Sequence, residues 1–231
     1  MKLKIKEGFR GQRMAVYSND TIMEALHNPL TSGLVIHSMG LFPNAEDHCV
    51  TRNEGCNEHI LVYCCKGKGY YVLNGQRHEV GEQQFFTIPA NRAHEIGSSK
   101  NNPWTVYWIH FKGEKASSVV SRLQGVHNIN VCERSRIVDR TSLFDEILNV
   151  MEYCNDENSV EYVNMCLNQL LASLLFIETY REAKNPSNKK KASVFLTRTL
   201  HYMKIITHFR FINYFFILHY NRYKNILQYV Y

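Results

Sequence analysis

Residues 52–113 read RNEGCNEHILVYCCKGKGYYVLNGQRHEVGEQQFFTIPANRAHEIGSSKNNPWTVYWIHFKG. In this stretch β-branched and aromatic runs alternate with turn signals. His59 to Cys65 stops at Lys66-Gly67-Lys68-Gly69, and Gly69 to Leu73 runs into Asn74-Gly75. Asn-Gly suits a two-residue hairpin turn because both central residues take positive φ. His78-Glu79-Val80 is followed by the polar break Gly81-Glu82-Gln83, and Gln84 to Ile88 ends at Pro89, which has no backbone donor for a ladder. A loop carrying His94 then leads to a further strand, Trp104 to Phe111. Short strands at this spacing predict an antiparallel sandwich or small barrel.

The order of these signals resembles the cupin barrel in the sensory half of AraC/XylS-type bacterial transcription regulators. The matching pieces are Arg52 with Gly55, KGKG (66–69), LNGQ (73–76), PANRAH (89–94) and PWTVYWIHFKG (103–113). The resemblance extends over roughly residues 5–204. It implies a mainly β protein with α: a cupin-like double-stranded β-helix (jelly-roll) barrel followed by a two-helix antiparallel dimerisation segment. The expected division is a barrel with an N-terminal arm over 1–138, helices over 139–183, a linker over 184–193, and over 194–231 a truncated or atypical tail where a helix-turn-helix domain would begin.

Outside the barrel the reading is coarser. Residues 1–17 are either an arm, which in the family can fold over the bound effector, or a first edge strand. Thr21 with Glu24 forms a capping box for a short helix that ends before Asn28-Pro29. Leu34 to Met39 and His48 to Arg52 are strands, and 113–139 is a polar connection. A helix starts at Ser142 and ends near Cys154, with Leu143, Ile147, Leu148 and Met151 as its apolar stripe. A longer helix runs from Val160 to Arg181. Its Val160, Val163, Leu167, Leu170, Leu174 and Ile177 follow the 3-4 spacing of a coiled-coil seam. By the family resemblance, Val163, Leu167, Leu170, Leu174 and Ile177 would meet a second subunit; the alternative is burial against the barrel and the preceding helix.

The 231-residue chain carries 27 Lys/Arg and 21 Asp/Glu, unevenly placed. From residue 184 onward there are nine basic and no acidic residues, so the body before it is slightly acidic and offers no footprint for nucleic acid. Seven cysteines without a Cys-x-x-Cys pair, and a charged opening MKLKIKEGFR, predict reduced thiols in a cytoplasmic protein. The longest uncharged apolar run near the end, Phe211 to Leu218, is far below the roughly 20 residues that span a bilayer. Val194 to Lys204 resembles the helix that opens the family's DNA-binding half. Residues 205–231 do not continue it, having no Gly, Ala, Pro, Asp, Glu or Ser, and their AT-rich-codon composition suggests an out-of-frame reading. DNA would be reached only through a domain that this sequence lacks.

Catalytic cupins hold a metal with a His-x-His pair, a Glu and a later His. By register with Gly67 the Glu position is Ile60, the His pair falls within Asn53 to Cys56, and only His94 stands where a ligand belongs. His59 and Glu58 are adjacent, so they point to opposite faces. No metal, no cofactor and no enzymatic activity are expected. The barrel then reads as a pocket for a small-molecule effector, by residue chemistry a carbohydrate. The candidate contacts are Arg52, Tyr63, Tyr71, His94, Trp108 and His110. An aromatic face stacks on sugar C–H surfaces while charged groups fix hydroxyls or carboxylates. The family's arabinose pocket has its arginine at the position of Arg52 and its stacking tryptophan at Trp108. Two of its polar positions are Ile96 and Val106 here, which implies a different ligand. Each candidate also has a structural role open to it, as a strand-end ion pair, core filling or loop bracing. Two other functions fit the same residues: a small cupin enzyme acting on a sugar, and a fragment that dimerises with a full-length regulator.

Overall fold

The computed structural model describes residues 4–154, 156–184 and 196–203. The chain divides into two units, Met1–Arg181 and Glu182–Tyr231. In the second, residues 196–203 are helical; the rest of the 194–204 resemblance and the tail from 205 lie outside the described residues.

The first unit is built from β1 (Arg13–Val16), α1 (Asn19–His27), β2 (Val35–Phe42), β3 (Cys49–Arg52), β4 (His59–Lys66), β5 (Gly69–Leu73), β6 (Gln76–Val80), β7 (Gln84–Ile88), β8 (His94–Ser98), β9 (Thr105–Lys112), α2 (Ala116–Arg122), β10 (Val126–Asn128), α3 (Ile137–Tyr153) and α4 (Glu157–Leu175). A further helix, α5, follows at Ile177–Lys184. All strand pairs are antiparallel, in a six-stranded sheet β1-β2-β9-β4-β7-β10 and a four-stranded sheet β3-β8-β5-β6. This is the two-sheet barrel expected from the turn spacing. The β5–β6 hairpin closes at Asn74 and Gly75, with φ of 52° and 74°, as the Asn-Gly signal requires.

Period-two alternation sends the large sheet's side chains into two separate cores. Ile60, Val62 and Cys64 of β4, with Trp104 before β9 and Val106 within it, pack between the sheets against Tyr71, Val80 and Ile96. Leu61, Tyr63, Tyr107, Ile109 and Phe111 face the other way, onto α3 and α4. The large sheet is therefore buried on both faces, which is why β4 and β9 read as continuous apolar runs.

Several boundaries differ from the sequence reading. The cap of α1 is Ser18, whose Oγ accepts from the Thr21 amide at 3.1 Å, rather than a Thr21–Glu24 box. His94 opens strand β8 instead of lying in a loop, and the 113–139 connection contains α2 and β10. Helix α3 begins at Ile137, five residues before Ser142. The long helix breaks at Phe176 and turns by 103° into α5. Among the described residues, no single helix is long and apolar enough to cross a membrane.

The heptad seam of α4 needs a correction. Val163, Leu167 and Leu170 are fully buried, Leu174 is 1% exposed, and Ile177 packs partly buried on the same cluster. Their partners are α3 and the sheet of their own chain, so this seam is not a free surface for a second subunit. Asn164, also fully buried, pins the contact: its Oδ1 accepts from the Ile36 amide at 2.8 Å. That amide is available because β2 has a bulge between Ile36 and Ser38, with His37 as the extra residue. The bulge also interrupts the period-two alternation of β2. Val35, Ile36 and Met39 join the helix-side core while Ser38 faces between the sheets.

Candidate effector cavity

A cavity of about 370 Å³ lies between the sheets. Its walls are mostly apolar, with Phe42, Ile60, Val62, Ile96, Val106 and the two tryptophans, Trp104 and Trp108. Its polar groups are Arg52, His48, His110, Ser38, Thr51 and, from the N-terminal segment, Lys6 and Glu7. Pockets for small molecules have this character, an apolar lining with a few convergent polar groups, and begin at about 300 Å³.

Arg52 ends β3 opposite His94 on β8, a cross-strand pair. His94 Nδ1 lies 2.7 Å from the Arg92 carbonyl and so carries the ring proton and donates it. That leaves Nε2 as an acceptor, 3.4 Å from Arg52 Nη1. Burial lowers the His94 pKa, which keeps the ring in this neutral form. His94 thus orients Arg52 from behind and is not among the cavity-lining residues. His48 behaves similarly. Its Nδ1 accepts from Trp104 Nε1 at 3.3 Å, and burial, helped by the Arg52 charge, pushes its pKa down to about 4. The two histidines beside the Arg52 cation, His94 and His48, are both neutral.

Trp108 is placed by Gly40, its partner across the β2–β9 ladder. A Cβ at Gly40 would sit 2.6 Å from the indole ring, so only glycine leaves room. The indole meets Phe42 and His110 edge-on, at centroid distances of 5.4 and 5.5 Å. Its Nε1 has no acceptor among the described residues.

The N-terminal segment holds an edge strand and, ahead of it, a stretch that lies beside β3. Residues 13–16 are the edge strand β1, and Met14 and Val16 reach the cavity. Ahead of them Ile5 lies beside β3, with its amide on the Asp47 carbonyl at 3.1 Å and its carbonyl accepting from the Cys49 amide at 3.0 Å. This arm carries Lys6 and Glu7 to the cavity mouth.

Of the six residues singled out from sequence, Arg52, Trp108 and His110 line one cavity, and His94 supports Arg52. Tyr71 is inside the barrel but stacks between Phe86, at 4.3 Å, and His78, at 4.7 Å, without reaching the cavity. Tyr63 is on the opposite face of the sheet. Its hydroxyl donates to Gln83 and its ring stacks on Phe144 of α3 at 5.4 Å. Strand parity decides this: with Ile60, Val62 and Cys64 inward, residue 63 must face out.

Sequence reasoning missed His48, Ser38, His37 and Glu58. The sequence reading sets Glu58 aside as a neighbour of His59, yet the same alternation sends Glu58 inward once His59 faces out, where the His59 ring meets Ser117 and the Ala90 amide. The buried Glu58 carboxylate lies 3.1 Å from His110 Nδ1, 2.6 Å from His37 Nδ1 and 3.8 Å from Lys112 Nζ. The His110 hydrogen bond, more than the His37 charge, holds its pKa at about 2, well below the carboxylate range. For His110 burial outweighs that bond and lowers its pKa.

Comparisons with known proteins bear on this arrangement. The chain is 34% identical over 97 residues to the MmsAB operon regulatory protein of Pseudomonas aeruginosa, covering 40% of this chain and 31% of that one. It is 23% identical over 138 residues to the Msm operon regulatory protein of Streptococcus mutans, covering 58% and 48%. The chain therefore spans less than half the length of these curated relatives. Among solved structures, a cupin 2 conserved barrel domain protein from Leptotrichia buccalis matches at 17% identity and a TM-score of 0.29, covering 46% and 43%. The family model described as the AraC-like ligand binding domain matches residues 37–175, from the bulge of β2 to the end of α4. That span takes in the cavity-lining strands other than β1 and the helices packed behind them, and the chain belongs to the AraC-like ligand-binding domain family.

Proposed function

We propose that this chain is the effector-sensing part of an AraC-type transcription regulator, and that its effector is a small polar molecule, a sugar or sugar acid, held between Arg52 and Trp108. One observation carries the reading: Arg52 and Trp108 line the same cavity, with His110, Ser38 and Thr51 as further hydrogen-bonding groups. A guanidinium oriented by His94 suits a carboxylate or paired hydroxyls. An indole face suits the C–H side of a ring. The apolar walls Ile96 and Val106 favour a ligand with one polar edge over one polar all round.

Lys6 and Glu7 at the mouth give the ligand a way to act. A molecule that touches both the barrel and the arm favours the state in which the arm is seated, and that shift is what a regulator's other parts would read. Self-association of the family's kind would use the outward side of α4, where Tyr162 and Met165 are exposed, rather than the buried seam. A cytoplasmic location and contact with DNA through a further domain belong to the same proposal.

The test is calorimetry and tryptophan fluorescence against monosaccharides and their aldonic and uronic acids. A saturable signal that is lost in Trp108→Ala and weakened in Arg52→Ala, with His94→Phe intermediate, supports the reading. If no member of the panel binds, or if binding survives both substitutions unchanged, the site is wrong.

A further inference from the structure

Beside the cavity the chain gathers a second set of groups, in a place where the family register offered no histidine pair. Gly55, at φ 74°, turns the β3–β4 connection, and Cys56 and Glu58 follow on it. The Cys56 thiol, a Glu58 carboxylate oxygen and a His110 ring nitrogen all lie within 4.8 Å of one another. Glu58 and His110 are buried and Cys56 is partly so. His37, turned by the β2 bulge, holds its Nδ1 2.6 Å from the other carboxylate oxygen, a close contact without the alignment of a hydrogen bond. Only Cys56 lies in the window that the catalytic cupin pattern would use.

We propose that Cys56, Glu58 and His110 bind one divalent transition-metal cation of the zinc class, with His37 as the residue that orients Glu58. The donor set selects the cation. A thiolate with an imidazole disfavours magnesium and calcium, which take oxygen ligands, and suits zinc. The spacing fits as well: Glu58 Oε2 and His110 Nδ1 are 3.1 Å apart. The edge of a tetrahedron with bonds of roughly 2.0 Å is about 3.3 Å. Cys56 lies in the β3–β4 connection, where its Sγ donates to the Glu58 carbonyl at 3.3 Å, and on losing its proton it gives up that bond and turns to the cation. His37 then does what outer partners of metal-bound carboxylates do, fixing the ligand's orientation. Charge also balances, since a thiolate and a carboxylate together offset a dication in a buried place. On binding, the Cys56 proton leaves to solvent and the single His110 proton, which Nδ1 donates to Glu58 in the metal-free chain, moves to Nε2, so one proton is released per cation.

Three protein ligands leave one position open. His110 is both a ligand and a cavity wall, so that open position borders the effector's space. The proposal does not depend on what the effector is.

The experiment uses the 231-residue chain stripped with a chelator, then titrated with zinc by calorimetry and with cobalt by absorption spectroscopy. One zinc per chain is expected, together with a cobalt–thiolate charge-transfer band. The band should vanish in Cys56→Ser and persist in Cys166→Ser, which removes another buried thiol. His37→Ala should weaken zinc binding about tenfold to a hundredfold, and His110→Ala by more. Circular dichroism confirms that each variant is folded, and Glu58→Gln, nearly isosteric, stands in if His110→Ala is not. The proposal is overturned if no saturable site is found, or if zinc binds Cys56→Ser and Glu58→Gln as tightly as the parent chain.

Discussion

The two faces of the six-stranded sheet draw on the same strands and similar residues but reach different ends. On the helix side, Tyr63, Phe85, Tyr107, Ile109 and Phe111 meet Phe144, Leu167 and Leu170, and the space is filled. Tyr63 and Tyr107 both stack on Phe144, at 5.4 and 4.8 Å. On the barrel side, Ile60, Val62, Val106 and Trp108 stop short of the opposite sheet and leave a hollow of about 370 Å³ with polar groups in its wall. One face spends its apolar surface on stability; the other gives some of it up to hold a ligand. The lesson is that periodicity tells which residues share a face, but not whether that face is filled.

The helix side should be broken most easily. Leu170 is fully buried within its own chain, so Leu170→Glu places a charge where nothing can pair with it. The expected loss is at least about 4 kcal/mol. Urea denaturation should find the variant largely unfolded, where a dimer seam would have given a folded monomer.

The hollow side should show itself through pH. His48 is neutral when folded, with a pKa of about 4 against an ordinary 6.5. The unfolded chain binds the extra proton first, so stability is complete above about pH 6.5 and falls as pH drops toward 4. That difference corresponds to about 3 kcal/mol. Glu58 acts in a lower window: its depressed pKa adds stability above about 4.5, which is lost on the way to 2. Thermal melts from pH 7 to 4 should show a steep fall, less steep in His48→Asn, which still accepts from Trp104. An unchanged slope would place His48 outside the folding linkage.

A smaller effect sharpens the comparison. Gly40→Ala drives a methyl into the Trp108 ring and should cost about 1–3 kcal/mol, while shifting tryptophan emission and abolishing effector binding. The smallest effect is on the outward surface. Met165→Glu should change stability by no more than about 0.5 kcal/mol, yet in ultracentrifugation it should lower self-association if α4 presents Tyr162 and Met165 to a second copy. A wild-type chain that is monomeric at tens of micromolar would remove the outward α4 face from consideration.

Much of this was legible in the sequence. The Asn74-Gly75 turn, the glycine pair at 67 and 69 and the stop at Pro89 set the strand count of the barrel, and period-two alternation accounts for Trp104, Val106, Trp108 and His110 lining one cavity. What was not legible depended on contacts distant in the chain. The 3-4 spacing of α4 looks the same whether its partner is a second chain or the sheet behind it. Tyr63 could have been excluded from its parity with Ile60. The bulge at His37 could not have been foreseen, because it is stabilised by Asn164, 128 residues away from Ile36. For the same reason Glu58 is set aside in the sequence as a neighbour of His59: its partners His37, His110 and Lys112 come from two other strands.

The arm has a consequence in time as well as in space. Ile5 is held to the barrel by two backbone hydrogen bonds, and beside it Lys4 makes one exposed ion pair with Glu95 at 3.2 Å. Such a segment opens far more often than strands paired on both edges. In heavy water the amides of Ile5 and Cys49 should exchange well ahead of those in β4, and a bound effector should slow just these two among the slow-exchanging strands. Each tenfold slowing would report about 1.4 kcal/mol of preference for the seated arm, so an exchange clock on two amides would read how strongly the ligand couples to the arm.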